Sequence, residues 1–252
     1  MNIQQIRHAT ILLNYGGKRF LIDPFLAKKG TYPPFRNTQN QNKFNPTVDL
    51  SISIEELINV DVVLVTHLHL DHFDSVAIEA LPKDISIFAQ SEKNAQTIKK
   101  EGFQNVESLT AVSTVGDIRL IRTGGKHGTG IIRKLMGDVS GVVFQHPDEK
   151  TLYIAGDTIW CSDVQHTISN YHPEVIIVNG GAAQFLQGDP ITMTKEDIYE
   201  TYKEAPEATI LVSHMEAVNH CLLTRKELKQ YINEKDLSKT ILVPDDGEAI
   251  SF

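Results

Sequence analysis

Apolar residues recur along the chain in short clusters separated by polar, glycine-rich or proline-rich segments. Asp61–Thr66 (DVVLVT), Ile85–Ala89, Val175–Val178 and Ile210–Ser213 are nearly continuous apolar runs, the pattern of strands covered on both faces. Ile3–Tyr15 reads as one strand, Gly16-Gly17 as a hairpin turn, and Lys18–Phe25 as the returning strand. Ile118–Arg122, Gly141–Gln145 and Thr151–Ala155 add strands, His146–Lys150 supplies a turn, and Ile241–Pro244 and Glu248–Phe252 close the chain as strands.

Helical patterns lie between these runs. One starts near Ser75, and another spans Ser91–Lys100 with Ser91 as its cap. Thr194 with Asp197, and Thr224 with Glu227, have the spacing of capping boxes that open amphipathic helices. Early hairpins followed by alternating strands and helices predict a layered α/β fold with mixed sheets. The segment 27–51 fits none of this: it is polar, with Pro33, Pro34 and Pro46, and reads as a lid, a binding loop or a disordered insert.

Composition narrows the class. The hydrophobic fraction is 41 % and the charged fraction 22 %, which excludes a disordered chain. No apolar run reaches the roughly 20 residues of a membrane span, and the N-terminus lacks a signal-peptide pattern, so a cytoplasmic location is expected. With 24 basic against 32 acidic residues the net charge is −8, which disfavours nucleic acid as a partner. Cys161 and Cys221 are too few for a disulfide framework and read as small buried hydrophobes.

Chemistry concentrates at strand ends. Directly after the run at 61–66 comes His67-Leu68-His69-Leu70-Asp71-His72. In extended backbone His67, His69 and Asp71 face one side, and His72 requires a turn. Four potential ligands this close, at the end of a rigid strand, suit divalent transition metals better than a histidine-rich surface loop. His127 lies among glycines after a strand, Asp157 ends Tyr153-Ile154-Ala155-Gly156-Asp157, and His214 follows Ile210–Ser213. Singly these are a loop histidine, an Asx-turn aspartate and a strand-end histidine. Together with the first motif they complete a coordination set.

In these motifs, in order from Leu21-Ile22-Asp23-Pro24 to His214, the chain resembles the metallo-β-lactamase-fold hydrolases, most closely the branch of ascorbate-phosphate lactonase and N-acyl phosphatidylethanolamine phospholipase D. The resemblance implies a four-layer αββα sandwich of two mixed β-sheets, formed by residues 1–252 as a single domain. It implies two divalent metal ions, zinc first and Mn²⁺ or Fe²⁺ otherwise. One would sit on His67, His69 and His127, the other on Asp71, His72 and His214, with Asp157 bridging. Asp23 would anchor a ligand from behind. The chemistry implied is hydrolysis by a metal-bridged hydroxide, with Asp71 also moving a proton as the catalytic carboxylate. His8, Lys126, Arg133 and His220 are the candidate substrate contacts, and Ile131, Ile132, Leu135 and Met136 pack as a short helix or wall the pocket. The expected partner is a small-molecule ester or lactone. A phosphodiester, or a non-catalytic metal-binding sensor or scaffold, is the alternative, and a homo-oligomer stays open.

Overall fold

The computed structural model describes residues 1–252. Two seven-stranded mixed sheets lie face to face. The first takes β1 (Asn2–Arg7), β2 (Thr10–Tyr15), β3 (Lys18–Ile22), β4 (Val62–Val65), β5 (Ser86–Ala89) and β6 (Asn105–Ser108). The second takes β7 (Ser113–Val115), β8 (Ile118–Thr123), β9 (Gly141–His146), β10 (Glu149–Ile154), β11 (Val175–Asn179), β12 (Thr209–Ser213) and β13 (Ile241–Leu242). The last strand, β14 (Ala249–Ser251), returns to the first sheet beside β1. In each sheet antiparallel pairs form one half and parallel pairs the other, changing over at β3 and at β10.

The continuous apolar runs follow from this layering. Along β4, Val62 and Leu64 enter the core between the sheets, where they join Phe20, Phe144, Ile154 and Ile177. Val63 and Val65 point the other way, under α1 (Ile54–Leu57), α2 (Ser75–Ala80) and α3 (Glu92–Lys100). Alternate residues of one strand are thus buried on opposite faces, and no polar position is left. A short helix, α4 (Gly130–Met136), buries none of its residues. On the far face α5 (Ser162–Tyr171), α6 (Lys195–Glu204) and α7 (Arg225–Glu234) cover Tyr153, Ile176, Val178 and Val212. This is the expected αββα sandwich. Both capping boxes form, at Thr194 with Asp197 and at Thr224 with Glu227. No helix is long and apolar enough to cross a membrane.

The expected strand over 3–15 is two strands, because the chain reverses at His8-Ala9 and Gln5 to Arg7 pair back onto Ile11 and Thr10. The segment 27–51 is a folded loop, not a disordered insert. Tyr32 and Asn45 exchange backbone hydrogen bonds of 2.7 and 2.8 Å. Asn219 then uses every polar atom it has on this loop. Its Oδ1 accepts from Phe35 N (2.9 Å) and Asn45 Nδ2 (3.0 Å), and its Nδ2 donates to Thr38 Oγ1 (2.7 Å) and Gln39 O (2.8 Å). Its backbone N–H donates to Asn45 Oδ1, and its carbonyl accepts from Asn40 Nδ2. Each net hydrogen bond contributes about 1 kcal/mol. Asn219→Ala removes the four side-chain bonds and is therefore expected to cost about 4 kcal/mol and to expose residues 32–46 to limited proteolysis before global unfolding. Unchanged cleavage kinetics would show that the loop is held elsewhere.

Candidate metal centre

Strand ends from both sheets deliver the candidate ligands to one place. β4 leads into His67, β8 through Thr123–Lys126 into His127, β10 through Ala155-Gly156 into Asp157, and β12 directly into His214. The chain turns earlier than simple alternation predicts: His72 N and Phe73 N both donate to His69 O, at 3.0 and 3.1 Å. Asp71 accordingly leaves the side of His67 and His69 and joins His72.

The donors fall into groups whose ligand atoms lie within 4.8 Å of one another: His67, His69 and His127; Asp71, His72 and His214 with His8; and His67, His72 and Asp157. Asp157 lies between the other two groups and shares His67 and His72 with them. Asp157 Oδ2 lies 3.3 Å from His72 Nε2, 3.4 Å from His127 Nε2 and 3.8 Å from His67 Nε2, while Oδ1 lies 3.4 Å from His214 Nε2. Two donors sharing a tetrahedral ion at 2.0–2.1 Å stand about 3.4 Å apart. His72 Nε2 and His214 Nε2 are buried and have no hydrogen-bond partner. A buried imidazole nitrogen left bare is costly, and a cation is the partner these atoms fit.

The reverse sides of three of the rings are held. His72 Nδ1 donates to Asp23 Oδ2 (2.8 Å), and Asp23 also accepts from Thr66 N and Thr66 Oγ1, both at 2.7 Å. His127 Nδ1 donates to Ile191 O at 2.8 Å. A proton on Nδ1 leaves Nε2 as a bare lone pair aimed at the centre. Behind His214 the partner is a thiol: Cys221 Sγ is 3.6 Å from Nδ1 and 3.5 Å from the same residue's carbonyl oxygen. Asn179 Nδ2 donates to Asp157 Oδ1 at 2.7 Å. Asp23 thus has the anchoring contact expected of it.

Electrostatics point the same way. Burial opposes ionisation of Asp71 and Asp157, yet the surrounding imidazoles hold both carboxyls well below the usual carboxylate range. Burial lowers His72, but Asp157 and Asp23 outweigh it and push that imidazole up to about 10. The same contest raises His214 beside Asp157. Burial keeps His67 and His127 below their ordinary value, so both stay neutral at pH 7. Carboxylates that draw protons this strongly onto buried imidazoles draw a metal cation in their place.

Backbone strain is concentrated here as well. His8, Asp23 and His214 have φ of +56°, +44° and +62°, a region that side-chain-bearing residues avoid at a cost of about 1–3 kcal/mol each. His214 N and Gln5 Nε2 both donate to His8 O, at 3.0 and 2.7 Å, which ties the two sheets together at the strained positions.

The four candidate substrate contacts are placed less favourably. His8 is fully buried behind Asp71, and burial takes its pKa down to about 3. It is therefore neutral, and its Nε2–H donates to Asp71 Oδ2 at 2.9 Å. His220 is buried too, with its ring edge on Phe35, and burial lowers it to about 4. Arg133 is exposed on α4, and Lys126 is half-buried with its backbone N–H on Thr158 Oγ1. None of the four lines the cavity that opens onto the cluster.

That cavity, about 220 Å³, is reached past His69, the one partly exposed member of the cluster. Leu68, Gln90, Lys93, Asn94, Met136 and Asp138 line it with His67 and His69. Gln90 and its neighbours escaped the sequence reading, because a polar residue between a strand and a helix cap reads as an ordinary connection. The apolar residues of α4 divide: Ile132 and Met136 pack toward Phe25, Ile191 and Val218, whereas Ile131 and Leu135 are 77 % and 73 % exposed.

Residues 18–215 match the family model described as a β-lactamase superfamily domain. The chain is 52 % identical to the UPF0173 protein YddR of Bacillus subtilis, with 100 % of each covered. It is 26 % identical to the UPF0173 metal-dependent hydrolase SAR1785 of Staphylococcus aureus, covering 97 % of this chain and 96 % of that one. Among solved structures it is similar to an isothiocyanate hydrolase from Delia radicum gut bacteria, with 42 % identity, a TM-score of 0.97, and 100 % of this chain and 99 % of that one covered.

Proposed function

The chain belongs to the β-lactamase superfamily and is a metal-dependent hydrolase; from that premise we propose that it works with two divalent ions, zinc first, on a small uncharged molecule at an electrophilic carbon. His67, His69 and His127 would hold one ion, and Asp71, His72 and His214 the other, with Asp157 between them. The observation that carries this is the convergence of unpartnered imidazole nitrogens on Asp157. Five neutral nitrogens and two carboxylates form a donor set that suits zinc, and two carboxylates against two dications leave net positive charge for an electron-rich substrate. Bound ions lower the pKa of water from 15.7 towards about 7 and polarise the substrate.

The protein's own groups do the rest. His8 fixes Asp71 through Oδ2, which leaves Oδ1 to take a proton from the attacking water and return it to the leaving atom. Asn179 and the anchors behind His72, His127 and His214 keep those donors in register, so little reorganisation accompanies reaction.

Two observations bear on the substrate. Lys93 and Asp138 offset one another at the mouth, so no anionic phosphodiester is favoured there. The similarity to an isothiocyanate hydrolase, at 42 % identity, covers the whole chain. We therefore place isothiocyanates, R–N=C=S, ahead of carboxylic esters and lactones, which offer the same kind of carbon. Water adds its oxygen to that carbon and protons pass to nitrogen. The C–N bond then breaks, giving R–NH₂ and O=C=S.

The test is turnover of allyl isothiocyanate, p-nitrophenyl acetate, γ-butyrolactone and bis-(p-nitrophenyl) phosphate by zinc-loaded and chelated protein. We expect kcat/KM highest for the isothiocyanate by at least about tenfold, and activity lost on chelation. Preference for the phosphodiester would overturn the substrate reading. Two bound ions with no turnover of any compound would favour a sensor or scaffold.

A further inference from the structure

Gln90 directly follows β5, and the pairing of Ala89 with Val65 places it one strand across from Thr66, beside the start of the His67 motif. It is 2 % exposed, yet it lines the cavity together with His67 and His69. Its Oε1 accepts from Asn94 Nδ2 at 3.0 Å, while its Nε2 donates to no protein group. That N–H keeps contact with solvent, so water satisfies it in the free protein and a substrate atom that accepts from it would take the place of that water. The first turn of α3 adds the positive end of its dipole at the same wall, where Ser91 caps the helix by accepting from Asn94 N. Glu92, in the same turn, offsets part of that dipole, but its carboxylate accepts from Gln96 and Ser108 and does not line the recess. Leu68 and Met136 are the apolar residues of its lining.

We propose that Gln90 is a substrate-contacting residue, its carboxamide N–H holding the heteroatom that gains negative charge as water adds to the electrophilic carbon. The recess then selects a compact head with a hydrogen-bond acceptor next to that carbon, and an apolar substituent lies against Met136. The assignment rests on the hydrolase reading above, but it concerns the contact to substrate and not the hold on the ions. In an isothiocyanate the accepting atom is the sulfur or nitrogen of N=C=S; in an ester it is the carbonyl oxygen.

Gln90→Ala, Gln90→Leu and Gln90→Glu separate the outcomes. Metal per chain is measured for each by elemental analysis, kcat and KM on allyl isothiocyanate by amine release, and affinity for potassium thiocyanate by calorimetry. Thiocyanate is a linear relative of the N=C=S group that needs no turnover. All variants are expected to keep the metal content of the parent. Removing a donor to developing charge lowers rates on the order of 10²-fold, so Gln90→Ala should lose about that in kcat/KM and bind thiocyanate about tenfold more weakly. Gln90→Glu offers acceptors only and should do no better than alanine. Wild-type kinetics or thiocyanate affinity in Gln90→Ala, full function in Gln90→Glu, or loss of metal from the variants would each overturn the proposal. If the parent protein turns over no substrate, the hydrolase reading fails by itself. Thiocyanate affinity then still decides the contact, and a metal-loaded parent that binds no thiocyanate would count against it.

Discussion

Replacing Asp157 with alanine is expected to lower hydrolysis by about 10³-fold or more and, with two ions per chain as proposed above, to reduce bound metal to one or none. Asp157 is the only carboxylate whose oxygens face nitrogens of both halves: Oδ2 faces His67, His72 and His127, and Oδ1 faces His214. Metal-assisted chemistry contributes several kcal/mol of transition-state stabilisation, and each 1.36 kcal/mol is tenfold in rate. Losing the shared carboxylate forfeits at least half of that assembly, which is where the three decades come from. Asp157→Asn keeps the shape and one oxygen but removes the charge, so it should retain more metal than alanine and still lose most activity. Because its backbone turn is made by Gly156, at φ +68°, either variant should fold. Elemental analysis and kcat/KM on the same samples make the check. Two ions retained with turnover within tenfold of the parent would show that Asp157 does not join the halves.

The part of this centre that was legible in the sequence is the part written locally. His67 to His72 lie within one turn of a strand end, and the run before them is continuous because Val62 and Leu64 face one layer while Val63 and Val65 face another. A strand buried on both faces announces itself, and so does the histidine cluster it carries. The break at His8-Ala9 did not. No glycine or proline marks it, and Arg7-His8-Ala9-Thr10 between Ile6 and Ile11 has the same mixed polarity as the strands on either side, so nothing in the sequence signals the positive φ of His8. β6 and β7 are short and half-exposed, and strands of that kind leave no readable period. Order in 27–51 was hidden for a different reason. The groups that impose it on that loop, such as Asn219 bonded to Phe35 across 184 positions, lie far away in the chain, and polar contacts between distant segments have no periodicity. The same holds for Gln90, whose meaning comes from a neighbouring strand.

Arg7 anchors the same loop from the opposite end, and Arg7→Met should be the most destabilising single change outside the metal cluster. Its guanidinium is fully buried: Nη2 donates to Phe25 O and to Ala27 O (3.0 Å), Nη1 donates to Val48 O (3.1 Å), and the group lies 5.0 Å over the Phe25 ring. One planar cation therefore ties residues 25–27 to residue 48, the two ends of the insert. Burial draws its pKa down to about 10, with Asp74, Asp246 and Asp49 opposing, so it remains charged at pH 7. Methionine removes the desolvation cost of that charge, and where whole ion pairs are replaced together this gain can balance the loss. Here the partners are main-chain carbonyls that no substitution can replace, and each carbonyl left unsatisfied costs about 1–3 kcal/mol. The loss wins, by about 4 kcal/mol, or on the order of 10 °C in Tm for a chain of this length. Arg7→Lys keeps the charge but cannot span three carbonyls from one point, so it should recover only a minor share. Urea unfolding at pH 7 with the metal content held constant tests this, and a loss below about 1 kcal/mol in Arg7→Met would mean that the insert's ends are held by their packing alone. Tyr32 and Phe35, carried between those ends, pack on the apolar cluster of Phe25 and Val218 beside His220, so loosening Arg7 should also disorder that side of the site before the sandwich itself unfolds.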